Sequence, residues 1–349
     1  MKKFFTILVV ALCATFATAQ TDQHFWLNGK LMFGSQIAQT DSITFGSSED
    51  LDTLHLILPR TVAIIQKETI YVEVHDTIYI ERCPGEAGEG ALSGEFSVSA
   101  TEKVHFSQGN LQATYNGSSW SWSFAEHQYD YVGNAAANNA INGNGTVSAN
   151  GTVDLFGWST AATYYGIHNS NSNATYSGDF VDWGTNAITN GGNEADFWRT
   201  LTKDEWVYLF CGRENAATLF GLGSVNGVNG TILLPDNWVL PTGASFTAST
   251  AQGLAEQGDY YENSNENNFS HNTYTIEQWA IMESAGAVFL PAAGNRDGTD
   301  VYNVGSCGYY WLATPDDTGG AYYLYFDSRS LFPQGNYDRY YGRSVRLVR

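Results

Sequence analysis

An irregular α+β domain, with two short helices set among small strands and long ordered loops, is the fold class this sequence predicts, and three observations predict it. Two capping boxes, Thr202-Lys203-Asp204-Glu205 and Thr275-Ile276-Glu277-Gln278, each precede an apolar face: Trp206, Leu209 and Phe210 in the first, Trp279 and Met282 in the second. Each of these helices is expected to run for about three turns. Short β-type runs (Phe96–Ser99, Val104–Phe106, Ala287–Pro291, Ala321–Phe326, Ser344–Val348) recur between turn-rich stretches such as Gly133–Gly151 and Gly258–Asn272. Aromatic residues make up 14% of the chain. Ordering long loops costs conformational entropy, and the apolar area of large aromatic side chains can offset that cost.

The first nineteen residues read as a cleavable signal peptide. Lys2 and Lys3 precede an apolar run from Phe4 to Phe16, interrupted by Thr6 and Thr15, and Ala17-Thr18-Ala19 supplies a small-x-small site, so cleavage is expected before Gln20. The run is shorter than the roughly twenty residues needed to cross a bilayer. Leu12 before Cys13 argues against a lipid anchor. The mature chain would carry 14 basic against 36 acidic residues, a formal charge of −22. Such a surface repels phosphate and has no basic cluster, which disfavours nucleic acid and anionic membranes as partners. No later stretch suits membrane insertion. Mature cysteines are Cys83, Cys211 and Cys307; a Cys211–Cys307 bridge and free buried thiols are both open readings, and no CxxC or zinc spacing occurs.

Composition divides the rest. Residues 20–83 form a β-rich segment, with a hairpin turn at Asn28-Gly29 and a repeat, Glu68-Thr69-Ile70-Tyr71-Val72 then Asp76-Thr77-Ile78-Tyr79-Ile80, that suits an extended spacer. Residues 84–94, with four glycines and Pro84, read as a linker. Residues 95–349 read as one domain.

Ordered motifs run through that domain: Val104-His105-Phe106-Ser107-Gln108-Gly109-Asn110-Leu111-Gln112, Phe156-Gly157-Trp158-Ser159-Thr160, Trp198-Arg199-Thr200-Leu201, Leu234-Pro235-Asp236-Asn237-Trp238, Leu290-Pro291-Ala292-Ala293-Gly294 and Ser344-Val345-Arg346-Leu347-Val348. Together they resemble the Fibrobacter succinogenes major paralogous domain family of exported Bacteroidetes and Fibrobacter proteins. That resemblance implies a C-type-lectin-like fold of the formylglycine-generating-enzyme branch. It does not decide function, because one scaffold hosts many sites. The oxidases of that branch depend on a C-terminal cysteine pair, and Phe332 to Arg349 contains none. The Glu-Pro-Asn, Gln-Pro-Asp and Trp-Asn-Asp triplets of calcium-dependent lectins are also missing from the sequence.

Other constellations are weaker. Asp179, Asp182, Glu194 and Asp196 suggest an acid pair, but acids at this density are ordinarily solvated loop residues. The seven histidines lack metal or triad spacing. Gly221-Leu222-Gly223-Ser224-Val225-Asn226-Gly227 resembles a phosphate loop with the wrong spacing and reads as a turn. Asn295 to Asp300 offers oxygen ligands for a structural calcium, yet Gly298 is out of register with an EF-hand loop, which favours a plain turn; no cofactor is required.

The C-terminal segment is the candidate binding region. Asp316, Asp317, Tyr323, Tyr325, Asp327, Arg329, Tyr337, Asp338, Arg339 and Tyr341 are of the types that build adaptable recognition surfaces. The segment also resembles the variable region of retroelement-diversified C-type-lectin-like proteins, which implies ligand contact at such positions. Tyr323-Leu324-Tyr325-Phe326 equally fits the two faces of one strand. The expected function is an exported, non-catalytic module binding an extracellular protein or glycan. A structural role in the envelope or an appendage is the alternative, and a hydrolase or formylglycine-generating-like enzyme, which the missing C-terminal cysteine pair disfavours, is the second.

Overall fold

Both capping boxes close as their spacing requires. In the computed structural model, which describes Gln23–Leu27, Lys30–Ser35, Ile57–Leu58, Thr61–Val62 and residues 89–349 except 136, 149, 250–259 and 262–266, Thr202 and Thr275 each accept from the N3 backbone. Glu205 and Gln278 return the bond to the cap N–H at 2.7 and 2.9 Å. Helix α2 spans Ile276–Ser284 and buries Trp279 and Met282. Helix α1 is shorter than expected: Lys203–Val207 is α-helical, and the chain continues as a π-turn over Tyr208–Gly212, closed by Arg213 N–H donating to Tyr208 O at 3.0 Å.

The chain divides into two units, Met1–Cys83 and Pro84–Arg349. In the first, Gln23–Leu27 pairs antiparallel with Lys30–Ser35, Leu27 opposite Lys30 on either side of Asn28-Gly29, and Ile57–Leu58 pairs with Thr61–Val62. The signal peptide, the 68–80 repeat and Cys83 lie outside the described residues.

In the second unit the stretch read as a linker is packed from Gly90 onward. Gln108 N–H donates to Gly90 O at 2.7 Å, Ala91 bridges to Ser107, and Leu92 is buried. Glycine serves close backbone approach here as well as flexibility: a Cβ on Gly94 would sit 2.3 Å from Gly286 O.

The unit is mixed α+β and mostly β, with several small sheets. One orders Trp120–Phe124, Leu111–Tyr115 and Gly151–Val153. A second orders Thr273–Tyr274, Phe220–Val225, Val228–Leu233 and Val288–Pro291. The third is an antiparallel meander of Gly308–Pro315, Ala321–Phe326 and Ser330–Tyr337, extended by Tyr260–Tyr261. The phosphate-loop lookalike lies in the second sheet, where Phe220–Val225 is a fully buried strand and Asn226-Gly227, both at positive φ, turn the hairpin.

Tryptophans tie the loops down. Trp158, Trp183 and Trp311 are fully buried, and each donates its indole N–H to a backbone carbonyl: Leu312 at 2.9 Å, Tyr165 at 2.7 Å and Phe156 at 2.7 Å. Each therefore removes a large apolar area from water and satisfies one loop or strand acceptor.

Three of the recurrent motifs meet in one buried polar network. Arg346 donates to Gln128 Oε1 at 2.8 Å and to Asn110 Oδ1 at 3.4 Å; Asn110 donates to the Tyr310 hydroxyl at 3.2 Å, which donates to Pro291 O at 2.9 Å. A fourth motif acts elsewhere: Asp236 accepts from Ser97 N–H and pairs with buried Arg213 at 3.3 Å.

Candidate ligand-binding face

Strand alternation sorts the C-terminal aromatic residues into two sets. Tyr310, Leu312, Leu324, Phe326 and Leu331 point into one core cluster. Tyr309, Trp311, Tyr323, Tyr325 and Phe332 occupy the opposite face, where Tyr309 pairs across from Tyr325, Trp311 from Tyr323, and Tyr325 from Phe332. Their rings stand 5.2 to 6.2 Å apart, within the range of favourable aromatic pairs.

Arg343 enters this face from the segment after the meander. Its guanidinium carbon lies 3.4 Å from the Tyr323 ring centroid, 4.2 Å from Trp311, 5.7 Å from Tyr309 and 5.8 Å from Tyr341. The residue is 2% exposed, and its Nε and Nη1 have no hydrogen-bond partner. Burial lowers its pKa to about 10, offset in part by the neighbouring tyrosines. Phe156 and Arg343 exchange backbone bonds at 2.8 and 2.9 Å, which fixes the segment beneath the rings.

Beyond the last strand the chain turns through Asp338 to Tyr341. Tyr337 is 54% exposed, and its ring lies 5.3 Å from Tyr341, which stacks on Tyr340 at 4.7 Å. Burial raises the Tyr340 pKa, with the Tyr341 hydroxyl and the charges of Asp338 and Asp297 adding to it.

The ten residues expected to contact ligand do not share one role. Tyr337, Tyr341, Asp317 and Arg329 are exposed or half-buried and reach the surface. Tyr323 and Tyr325 are half-buried in the aromatic face. Asp327 is a turn residue: it accepts from Arg329 and Ser330 N–H at 2.8 Å each and from the Tyr325 hydroxyl at 2.9 Å. Arg339 is spent internally, donating to Gly320 O at 2.8 Å and to Tyr176 and Gly178 O at 3.2 Å each, over Trp158 at 4.2 Å. Asp338 accepts from Asn173 at 2.7 Å, and Asp316 from Asn336 at 3.2 Å and from Thr318.

Tyr309, Trp311, Phe332 and Tyr340 belong to the same segment but are not among the ten expected residues, and Arg343 lies just beyond it. The available signal was charge: four of the 16 basic residues, Arg339, Arg343, Arg346 and Arg349, fall in the last eleven positions.

Cys307 lies beside this face, its Sγ 3.7 Å from the Tyr325 hydroxyl, and neither Cys307 nor Cys211 forms a disulfide. The Tyr325 pKa is raised by burial first, then by Cys307 and by Asp327. Asn295–Asp297 and Asp300–Tyr302 form a hairpin around Gly298, so the calcium-like stretch is a turn. Among the described residues no group of three or more His, Cys, Asp or Glu could hold a metal ion. Asp182 caps a 3-10 turn and accepts from Thr200 at 3.0 Å through both N–H and hydroxyl.

The family described as "Domain of unknown function (DUF8237)" matches residues 238–348, a span that contains α2, the meander and every residue of the aromatic face. No curated protein and no solved structure matches the chain. Among the described residues no helix is long and apolar enough to cross a membrane.

Proposed function

We propose that this protein is an exported, non-catalytic binding module that recognises an extracellular protein or glycan through its C-terminal aromatic face. Its main domain is, on this reading, a C-type-lectin-like fold of the formylglycine-generating-enzyme branch, and binding needs no cofactor. One observation carries the reading: Tyr337, Tyr340 and Tyr341 form a contiguous surface set on a turn that a hydrogen-bonded meander and the Asn173–Asp338 contact hold in place. Rigid aromatic rings with a polar tip give large contact area at small entropic cost, and a few such residues commonly dominate an interface. Probing glycan and surface-protein arrays with the purified full chain tests it. A ligand retained by the wild type and lost on Tyr337→Ala and Tyr341→Ala is the expected result. Ligands that bind equally well to both variants would place recognition elsewhere.

A further inference from the structure

The buried guanidinium of Arg343 has four aromatic rings around it, two unpartnered nitrogens, and no carboxylate among the groups that shift its ionisation. The other buried arginines each have polar acceptors, although Arg346 Nε is also without a partner. Arg213 has Asp236, Arg296 donates to the carbonyls of Leu155, His168 and Gly298, and Arg346 has Gln128 and Asn110. A buried charge without a counter-charge is expensive, and cation–π contact recovers only part of that cost. The site is therefore short of one planar anion, which the guanidinium fork accepts in two-point contact.

From this geometry we infer that Arg343 is the floor of a carboxylate subsite, and that the ligand of the aromatic face is an acidic saccharide whose uronate group pairs with Arg343. The inference rests on the binding-module reading above and narrows it. A pyranose ring presents a face of C–H groups that packs on tyrosine rings, and its hydroxyls meet the phenolic tips. Tyr309, Tyr323 and Tyr341 supply both surfaces within 5.8 Å of the charge. A protein partner, by contrast, needs roughly 800 Å² of its own surface, whereas a single sugar unit suffices to bring its carboxylate to this charge.

Nε and Nη1 of Arg343 have no exposed surface, so one ring must move to admit the carboxylate. Tyr309, Trp311 and Tyr323 belong to paired strands. Tyr341, half-buried and stacked on Tyr340, is the one of the four that lies in a bend and outside the paired strands, so it is the ring whose movement would open the site.

The test titrates the full chain, by calorimetry, with a trigalacturonate, with the neutral galactose trimer and with poly-L-glutamate, using wild type, Arg343→Met, Arg343→Lys and Tyr341→Ala. The trigalacturonate should bind at least tenfold more tightly than the neutral trimer, and Arg343→Met should erase that preference while the protein stays folded. Arg343→Lys, which keeps charge and loses the planar fork, should retain only part of the preference. Were Arg343→Met to unfold, the wild-type preference and the lysine variant would still decide the matter. Equal binding of acidic and neutral trimers, with both lost in Tyr341→Ala, would overturn the carboxylate subsite and leave the aromatic face standing. Binding of poly-L-glutamate but of neither saccharide would overturn the ligand class. Failure of every probe, with array ligands unaffected by Tyr341→Ala, would remove both readings.

Discussion

Arg346 donates to Gln128 Oε1 at 2.8 Å across the centre of the domain, and Phe289 N–H donates to the same oxygen at 2.7 Å. One glutamine amide thus joins the C-terminal segment to a strand of the second sheet, and Gln128 Nε2 continues the chain to Ala287 O at 3.1 Å. Replacing Gln128 with Ala strands a buried guanidinium and a backbone donor together. A destabilisation of about 3 to 5 kcal/mol is expected in urea unfolding. A loss below about 1 kcal/mol would mean that water replaces the amide without penalty.

Asp154 gives a pH-dependent prediction. It is fully buried and accepts from Val132 N–H at 2.6 Å and Asn138 Nδ2 at 2.8 Å, and burial raises its pKa from 3.8 to about 6 despite those bonds. The folded pKa lies above the unfolded one, so this group's contribution to stability is complete below pH 3.8 and is lost as pH rises through about 6. The stability difference between wild type and Asp154→Asn should therefore shift by roughly 2 kcal/mol between pH 4 and pH 7, with wild type relatively better at the acid end. A difference that is flat with pH would show that Asp154 stays ionised throughout.

Tyr337 and Arg339 are two residues apart and should behave oppositely. Tyr337→Ala removes an exposed ring and should change stability by less than about 0.5 kcal/mol. Arg339→Ala removes three carbonyl contacts and the packing on Trp158, so a loss of about 1 to 3 kcal/mol is expected, although the residue is only half-buried. Thermal denaturation of the two variants side by side separates them.

Cys211 and Cys307 should not be joined to each other in non-reduced protein. Cys211 Sγ contacts Val207 O at 3.0 Å within its own helical turn, and Cys307 contacts Tyr325. A peptide mass containing both residues joined in non-reduced protein would contradict this arrangement.

Local chemistry was legible in the sequence where the partners are near in the chain. The Thr202 and Thr275 boxes need only a residue three positions on, and Ala321–Phe326 declares itself through its own alternation. The Phe220–Val225 strand was hidden because Gly221 and Gly223 look like loop residues. They are glycine because Thr247 O and Asn272 O approach within 2.8 and 2.5 Å of where a Cβ would lie, from segments far along the chain. The candidate site was half-legible for the same reason. Tyr337 and Tyr341 are exposed residues of a turn, whereas the fate of Asp327 and Arg339 depended on which acceptors and donors folding would bring to them. Arg343 was invisible because four separate rings define its surroundings.

The closing segment also fixes an order of events. Leu347 O accepts from Ser107 N–H, Val345 O from Leu111 N–H, and Arg346 reaches Asn110, 236 positions earlier. Every tryptophan precedes Val345, so a chain emerging from the ribosome amino end first holds all of them before these closing bonds can form. Contacts of such long sequence separation form late and slowly. Closure between these partners must therefore wait until residues 345–347 are available, a delay that, on the exported reading proposed above, suits passage through a narrow translocation channel.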